Sequence, residues 1–137
     1  METLLRREIG TLEEQKKEFS SPRKKEDGAT FYVKDHCLIV ELGSDLDHHV
    51  SLQVKEKSDR IIATENIRYV IFDFSKSNFM DSSGIGVIMG RYKQVKFSGG
   101  SLAVTGITPP VDRILKISGL YKIIQKYETI KDAMKAF

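Results

Sequence analysis

Apolar and polar residues follow two different periods along this chain, and their pattern predicts strands that alternate with helices. Residues 69–74 are almost all apolar, which is typical of a strand buried on both faces. After a polar stretch, apolar residues recur at helical spacing from Ile85 to Val95. The predicted elements, in chain order, are a helix over residues 1–19, strands over 30–34 and 37–42, a helix over 48–64, a strand over 68–74, a helix over 83–97, a strand over 101–106, a helix over 109–117, a strand over 121–125 and a helix over 129–137.

This alternation predicts a single α/β domain with a mixed, mostly parallel sheet. The strands over residues 30–34 and 37–42 flank the polar turn Asp35-His36, and this hairpin would supply the antiparallel part of the sheet. A length of 137 residues fits one domain with a short appendage. The predicted boundary follows Gly28, so that residues 1–28 form an N-terminal unit and residues 29–137 form the α/β domain.

The N-terminal unit combines an amphipathic helix with a charged linker. The linker spans residues 20–28 and contains a proline and a glycine. The predicted helix carries a thin apolar stripe of Leu5, Ile9, Leu12 and Phe19. A short helix of this kind is marginal in water, so it requires a partner. The partner would be the α/β domain, a second copy in a homodimer, or another protein; the alternative is a partly disordered leader.

The composition argues against several classes of protein. The 22 basic and 19 acidic residues leave a net charge of +3, without a basic patch interleaved with aromatic residues, so nucleic acid is not an expected partner. No apolar stretch is long enough to cross a membrane, and the N-terminus lacks the apolar core of a signal peptide. The single cysteine, Cys37, lies in an apolar run, which predicts a buried core residue and suits a cytoplasmic location.

The polar residues Asp81-Ser82-Ser83-Gly84 lie at the junction between a predicted strand and a predicted helix. Unpaired backbone N–H groups and the positive end of the helix dipole favour negative charge there, including a phosphate attached to a serine. The alternative is that Asp81 or Ser82 merely caps the helix, since both residue types are common caps.

This junction is part of a longer resemblance. Residues 79–88 and 90–94 resemble the signature of the STAS domain (sulfate transporter and anti-sigma factor antagonist), and more narrowly that of the anti-sigma factor antagonists of sporulating bacteria. Three further segments fit: Leu46-Asp47-His48-His49, Ile107-Thr108-Pro109-Pro110-Val111 and Ser118-Gly119-Leu120-Tyr121-Lys122-Ile123-Ile124. The resemblance runs from about residue 30 to the C-terminus. It implies a mixed sheet with helices packed mainly on one face.

The resemblance also implies a function. A protein of this kind binds an anti-sigma factor that is also a serine kinase, and thereby releases a sigma factor. It is switched off when the kinase phosphorylates the first serine after the aspartate, here Ser82, and a serine phosphatase resets it. No catalysis and no cofactor of its own are implied. The implied kinase-binding residues are Asp45, Asp47, His48, His49, Asp81, Ser82, Ser83, Gly84 and Gly86.

Two other functions remain open at this point. Asp81, Ser82 and a nearby histidine could form a hydrolytic set, although the Gly-x-Ser-x-Gly elbow and the phosphate-binding glycine loops are absent. A STAS scaffold or assembly subunit, whose serine is not switched, is the second alternative. A metal site is not expected at His48 and His49, because adjacent helical residues point in different directions and no further His or Cys cluster completes a site.

Overall fold

A computed structural model describes residues 28–137, so the predicted helix over residues 1–19 and the predicted linker up to residue 27 lie outside the described residues. Within these described residues, five strands form one sheet in which the spatial order is the chain order. They are β1 (Ala29–Lys34), β2 (Cys37–Leu42), β3 (Tyr69–Asp73), β4 (Ser101–Thr105) and β5 (Gln125–Tyr127). β1 and β2 are antiparallel, whereas β2 to β5 are parallel. The predicted mixed, mostly parallel sheet is therefore confirmed.

The predicted hairpin joins β1 to β2. Lys34 pairs with Cys37, and the two residues between them, Asp35 and His36, have φ angles of 51° and 65°. Positive φ at both central residues is the geometry of a type I′ turn, whose twist matches that of paired strands. The polar turn thus sets the register of the antiparallel pair.

The described part of the chain forms four α-helices, which lie unequally on the two faces of the sheet. They are α1 (His48–Thr64), α2 (Ser82–Phe97), α3 (Pro109–Ser118) and α4 (Ile130–Ala136). The first three cover one face, over a core that contains Leu38, Phe72 and Val104. On the other face, Ala133 of α4 packs with Ile71 and Ala103. The prediction that the helices pack mainly on one face is confirmed.

The smaller core beneath α4 contains the single cysteine. Cys37 is buried, as predicted, and burial raises the pKa of its thiol far above the usual range. Beside this core, the ring of Phe137 stacks on that of Tyr69, with the two ring centroids 4.4 Å apart. Because the thiolate is the reactive form, these surroundings favour an unreactive Cys37.

The prediction for the last strand is wrong in its position. β5 spans Gln125–Tyr127, whereas Leu120–Lys122 forms a 3₁₀ turn. Gly119 ends α3 in the left-handed conformation, with φ of 81°, and the chain enters the 3₁₀ turn directly. Leu120 and Ile124 are buried in the core beneath α1 to α3. The apolar residues that suggested a strand therefore serve the packing of a turn.

Candidate functional site

The starts of α1 and α2 lie side by side because the two preceding loops are joined by their backbones. Leu46 and Met80 form a parallel bridge beyond the ends of β2 and β3. The Leu46 N–H donates to the carbonyl of Phe79 at 3.0 Å, and the Asp81 N–H donates to the carbonyl of Leu46 at 3.3 Å. Two of the segments that carry the family resemblance, residues 46–49 and 79–88, therefore meet at the carboxyl ends of β2 and β3.

Side chains also brace these loops. The Ser77 hydroxyl donates to the carbonyl of Ser44, and the Thr108 hydroxyl donates to the carbonyl of Ser77 at 2.8 Å. The carboxylate of Asp45, a predicted kinase-binding residue, accepts the N–H of Asn78 at 2.8 Å. Asp45 is half-buried, so part of its role is to hold the loop before α2. These bonds join the loops that follow β2, β3 and β4.

Both α1 and α2 begin with an aspartate cap. Asp81 Oδ1 accepts the N–H groups of Ser83 at 2.9 Å and of Gly84 at 3.2 Å. Asp47 Oδ1 accepts the N–H of Val50 at 3.0 Å. The cap of α2 is thus Asp81, and α2 begins at Ser82, one residue before its predicted start. Because Asp81 fills the capping position, the Ser82 hydroxyl is not used for it.

The two neighbouring serines have different surroundings. Ser82 is exposed, and no hydrogen-bond partner for its hydroxyl is found within residues 28–137. Ser83 is half-buried, and its Oγ lies 3.2 Å from Nδ1 of His48. His49, the neighbour of His48, is exposed. The structure therefore brings His48 to Ser83 and leaves the Ser82 hydroxyl on the surface.

The two predicted site glycines differ in the same way. Gly84 is buried, and a Cβ atom there would lie 2.6 Å from Met80 Cγ and 2.7 Å from the carbonyl oxygen of Leu46. Gly86 is exposed, and a Cβ atom there would meet nothing within 4 Å. Gly84 is required for the close contact between the two loops, whereas Gly86 leaves open space on the surface of α2.

A groove of about 340 Å³, which was not predicted from the sequence, lies between α1 and α2. It is lined from α1 by His48, Ser51, Leu52 and Lys55, and from α2 by Ser83, Gly86, Val87 and Arg91. The α1 residues recur at a spacing of three and four, which is the signal that could have predicted a shared helix face. We call this feature the α1–α2 groove.

Arg91 lies at one end of the α1–α2 groove and is only 5% exposed. Its Nη2 is 3.0 Å from the Asp59 carboxylate, and its Nε donates to Gln94 Oε1 at 2.8 Å. Burial lowers the pKa of the guanidinium, and Asp59 acts in the opposite direction. The ion pair fixes the spacing of α1 and α2 at this end.

Within residues 28–137, no group of three or more His, Cys, Asp or Glu side chains is arranged to hold a metal ion. None of the helices formed by these residues has the length and apolar character needed to cross a membrane.

Known proteins share this architecture. The model of the STAS domain family matches residues 29–133. The chain belongs to the STAS domain family.

The relatives of this chain include anti-sigma factor antagonists. The chain is 42% identical over 97 residues to the anti-sigma F factor antagonist of Paenibacillus polymyxa, and the aligned region covers 71% of this chain and 83% of the relative. It is also 31% identical over 91 residues to the anti-sigma-B factor antagonist of Listeria monocytogenes, covering 66% and 78%. Within the STAS family, the chain is thus a homologue of the anti-sigma factor antagonists.

Two solved structures show the same fold. The anti-sigma factor antagonist SpoIIAA in its unphosphorylated form superposes with a TM-score of 0.65 at 22% identity, over 79% of this chain and 96% of SpoIIAA. The Bacillus cell fate determinant SpoIIAA in its phosphorylated form superposes with a TM-score of 0.64 at 25% identity, over 79% and 97%. The STAS fold of this chain is therefore the fold of a protein that exists in two phosphorylation states.

Proposed function

We propose that this protein is an anti-sigma factor antagonist that binds an anti-sigma factor with serine kinase activity and is switched off by phosphorylation of Ser82. The observation that carries the proposal is the contrast between the two serines of the motif. Ser82 is exposed at the first position of α2, whereas Ser83 is half-buried beside His48. A kinase that docks at the carboxyl ends of the strands, over the start of α2, therefore reaches the Ser82 hydroxyl first.

The phosphoryl transfer needs little from this chain. The kinase supplies ATP, Mg²⁺ and the group that accepts the serine proton, while the chain presents one hydroxyl on a rigid turn. The turn is rigid because Asp81 caps the helix and the loop backbones are bonded to each other. The protein itself then acts by binding and not as an enzyme, and a separate serine phosphatase restores the unmodified form.

Electrostatics explain how one phosphate acts as a switch without unfolding the domain. The group adds about −1.5 to −2 charges at neutral pH. The N-terminus of α2 tolerates this charge, since helix dipoles favour anions at that end by about 0.3–1 kcal/mol. The negative charge of Asp81 lies beside the phosphate, and a docked protein surface would have to remove water from the phosphate. The phosphate therefore opposes the complex more than it opposes the fold.

The 42% identical relative is named for the F-type anti-sigma factor, whereas the 31% identical relative is named for the B type. We therefore favour an anti-sigma F factor as the partner, with sporulation as the regulated process. The sigma factor released by such a partner acts in the cytoplasm, which is the compartment expected for this chain.

The experiment that tests the proposal locates the phosphate. The purified anti-sigma factor kinase of the same organism is incubated with ATP, Mg²⁺ and this protein, and the tryptic peptide over residues 77–91 is sequenced by mass spectrometry. We expect phosphate on Ser82 in the wild type and in Ser83→Ala, and none in Ser82→Ala. Phosphate on Ser83, or on neither serine, would contradict the assignment and favour a STAS scaffold whose serine is not switched.

A further inference from the structure

The α1–α2 groove runs away from the candidate phosphorylation site along both helices. One end is formed by His48 and Ser83, next to Ser82, and the other by Lys55 and Arg91. Lys55 lies seven positions after His48, which corresponds to about 10 Å along a helix. A kinase that reaches Ser82 must lie over the first end of the groove, so the rest of the groove is within range of the same protein.

The middle of the groove is apolar. Leu52 is 56% exposed on one wall, the side chain of Val87 is buried, and Gly86 contributes no side chain. A Cβ atom at Gly86 would meet nothing within 4 Å. The middle of the groove therefore has the shape and polarity to accept an apolar side chain of a docked protein.

The far end carries an excess of positive charge. Lys55 and Arg91 share a single carboxylate, Asp59, at 3.1 Å and 3.0 Å respectively. In addition, three buried polar atoms, Arg91 Nη1, Ser51 Oγ and Asp59 Oδ1, have no hydrogen-bond partner among the residues that the structure describes, although Asp59 Oδ1 is ion-paired with Arg91 Nη2. Unpaired donors and an uncompensated cation both favour an occupant that carries acceptor oxygens and negative charge.

We propose that the α1–α2 groove receives a segment of the anti-sigma factor kinase, with an apolar side chain between Leu52 and Gly86 and a carboxylate at the end formed by Lys55 and Arg91. This inference rests on the proposed function, because the segment belongs to the kinase that modifies Ser82. It also gives the switch a physical basis. A phosphate on Ser82 would lie at the mouth of the groove, where its charge repels the acidic segment.

A matched pair of glycine substitutions tests the apolar part of the groove. Gly86→Leu places a side chain in the groove. Gly90→Leu is the control: Gly90 lies one turn further along α2 and does not line the groove, and a Cβ atom there also meets nothing within 4 Å. Both variants are expected to keep the wild-type thermal transition. The affinity of each unphosphorylated variant for the kinase is measured by titration calorimetry. We expect Gly86→Leu to bind at least about ten-fold more weakly than the wild type, and the affinity of Gly90→Leu to stay within about two-fold of it.

A matched pair of charge reversals tests the acidic part. Lys55→Glu places a carboxylate at the cationic end, whereas Lys93→Glu changes an exposed lysine of α2 outside the groove. We expect Lys55→Glu to weaken kinase binding at least about five-fold, with a smaller dependence on salt than the wild type, and Lys93→Glu to stay within about two-fold.

The outcomes separate this inference from the proposed function. If the wild type binds the kinase and both members of each pair bind equally well, the groove proposal is wrong while the proposed function stands. If Gly86→Leu changes the sedimentation of the protein alone, the occupant is a second copy and the proposal is also wrong. If the wild type does not bind the kinase, both proposals fall together.

Discussion

The first two turns of α2 have a buried side and an exposed side, and the same residue types occur on both. Gly84 faces the contact between the loops, where even a methyl group would lie 2.6 Å from Met80 Cγ, while Gly86 faces open space. Ser83 is half-buried beside His48, while Ser82 is exposed. Neighbouring helical residues differ by about 100° in direction, and this rotation separates residues that pack inside the fold from residues that remain exposed.

The largest expected effect comes from a side chain on the buried side. Gly84→Val should lower the free energy of unfolding by at least about 3 kcal/mol, because its side chain would collide with Met80 and with the backbone of Leu46. Gly86→Val is the control and should change that free energy by no more than about 0.5 kcal/mol. Urea denaturation of both variants measures the difference. Equal stability of the two would contradict the separation of the two sides.

The same pair sharpens the comparison in binding. Folded Gly86→Val should bind the anti-sigma factor kinase at least about ten-fold more weakly than the wild type, because the new side chain stands on the exposed side next to Ser82. Titration calorimetry measures the affinity. An unchanged affinity in the folded variant would remove Gly86 from the docking surface.

The helix caps give an effect of intermediate size. Asp81 accepts two N–H groups and Asp47 accepts one. We therefore expect Asp81→Ala to lower the free energy of unfolding by about 2 kcal/mol and Asp47→Ala by about 1 kcal/mol. Replacement by asparagine, which can still cap, should restore most of the loss in both cases. A larger loss at Asp47 than at Asp81 would contradict this ranking.

The smallest expected effect on stability is at the exposed serine. Ser82→Ala should change the free energy of unfolding by no more than about 0.5 kcal/mol, because Asp81 caps the helix and the hydroxyl has no partner within residues 28–137. Kinase binding should be kept, while Ser82→Asp should bind more weakly because it adds a charge at the docking surface. A marked loss of stability in Ser82→Ala would show that this hydroxyl has a structural role.

The sequence was sufficient for those features that depend on local chemistry. Capping by an aspartate follows from residue type and position, so Asp47 and Asp81 were candidate caps at the starts of their helices, with Ser82 as the alternative to Asp81. The hairpin between β1 and β2 follows from two polar residues between apolar runs. The buried strand over residues 69–73 follows from a run that is apolar except for Asp73.

The features that the sequence did not predict depend on packing between distant segments. The run before β5 has the composition of a strand, but Gly119 turns it into a 3₁₀ segment whose Leu120 and Ile124 fill the main core. The α1–α2 groove depends on the spacing of two helices and on the absence of a side chain at Gly86. The different roles of Gly84 and Gly86 likewise depend on Leu46, which is 38 positions before Gly84 in the chain.

The most direct test of the account compares the affinity of the unphosphorylated and the fully phosphorylated protein for the anti-sigma factor kinase. Both forms are prepared from the same chain, and mass spectrometry verifies that Ser82 carries the phosphate. We expect the dissociation constant to rise at least about ten-fold on phosphorylation, while the free energy of unfolding changes by no more than about 1 kcal/mol because the helix N-terminus tolerates the charge. Equal affinity of the two forms, or unfolding of the phosphorylated form, would contradict the account.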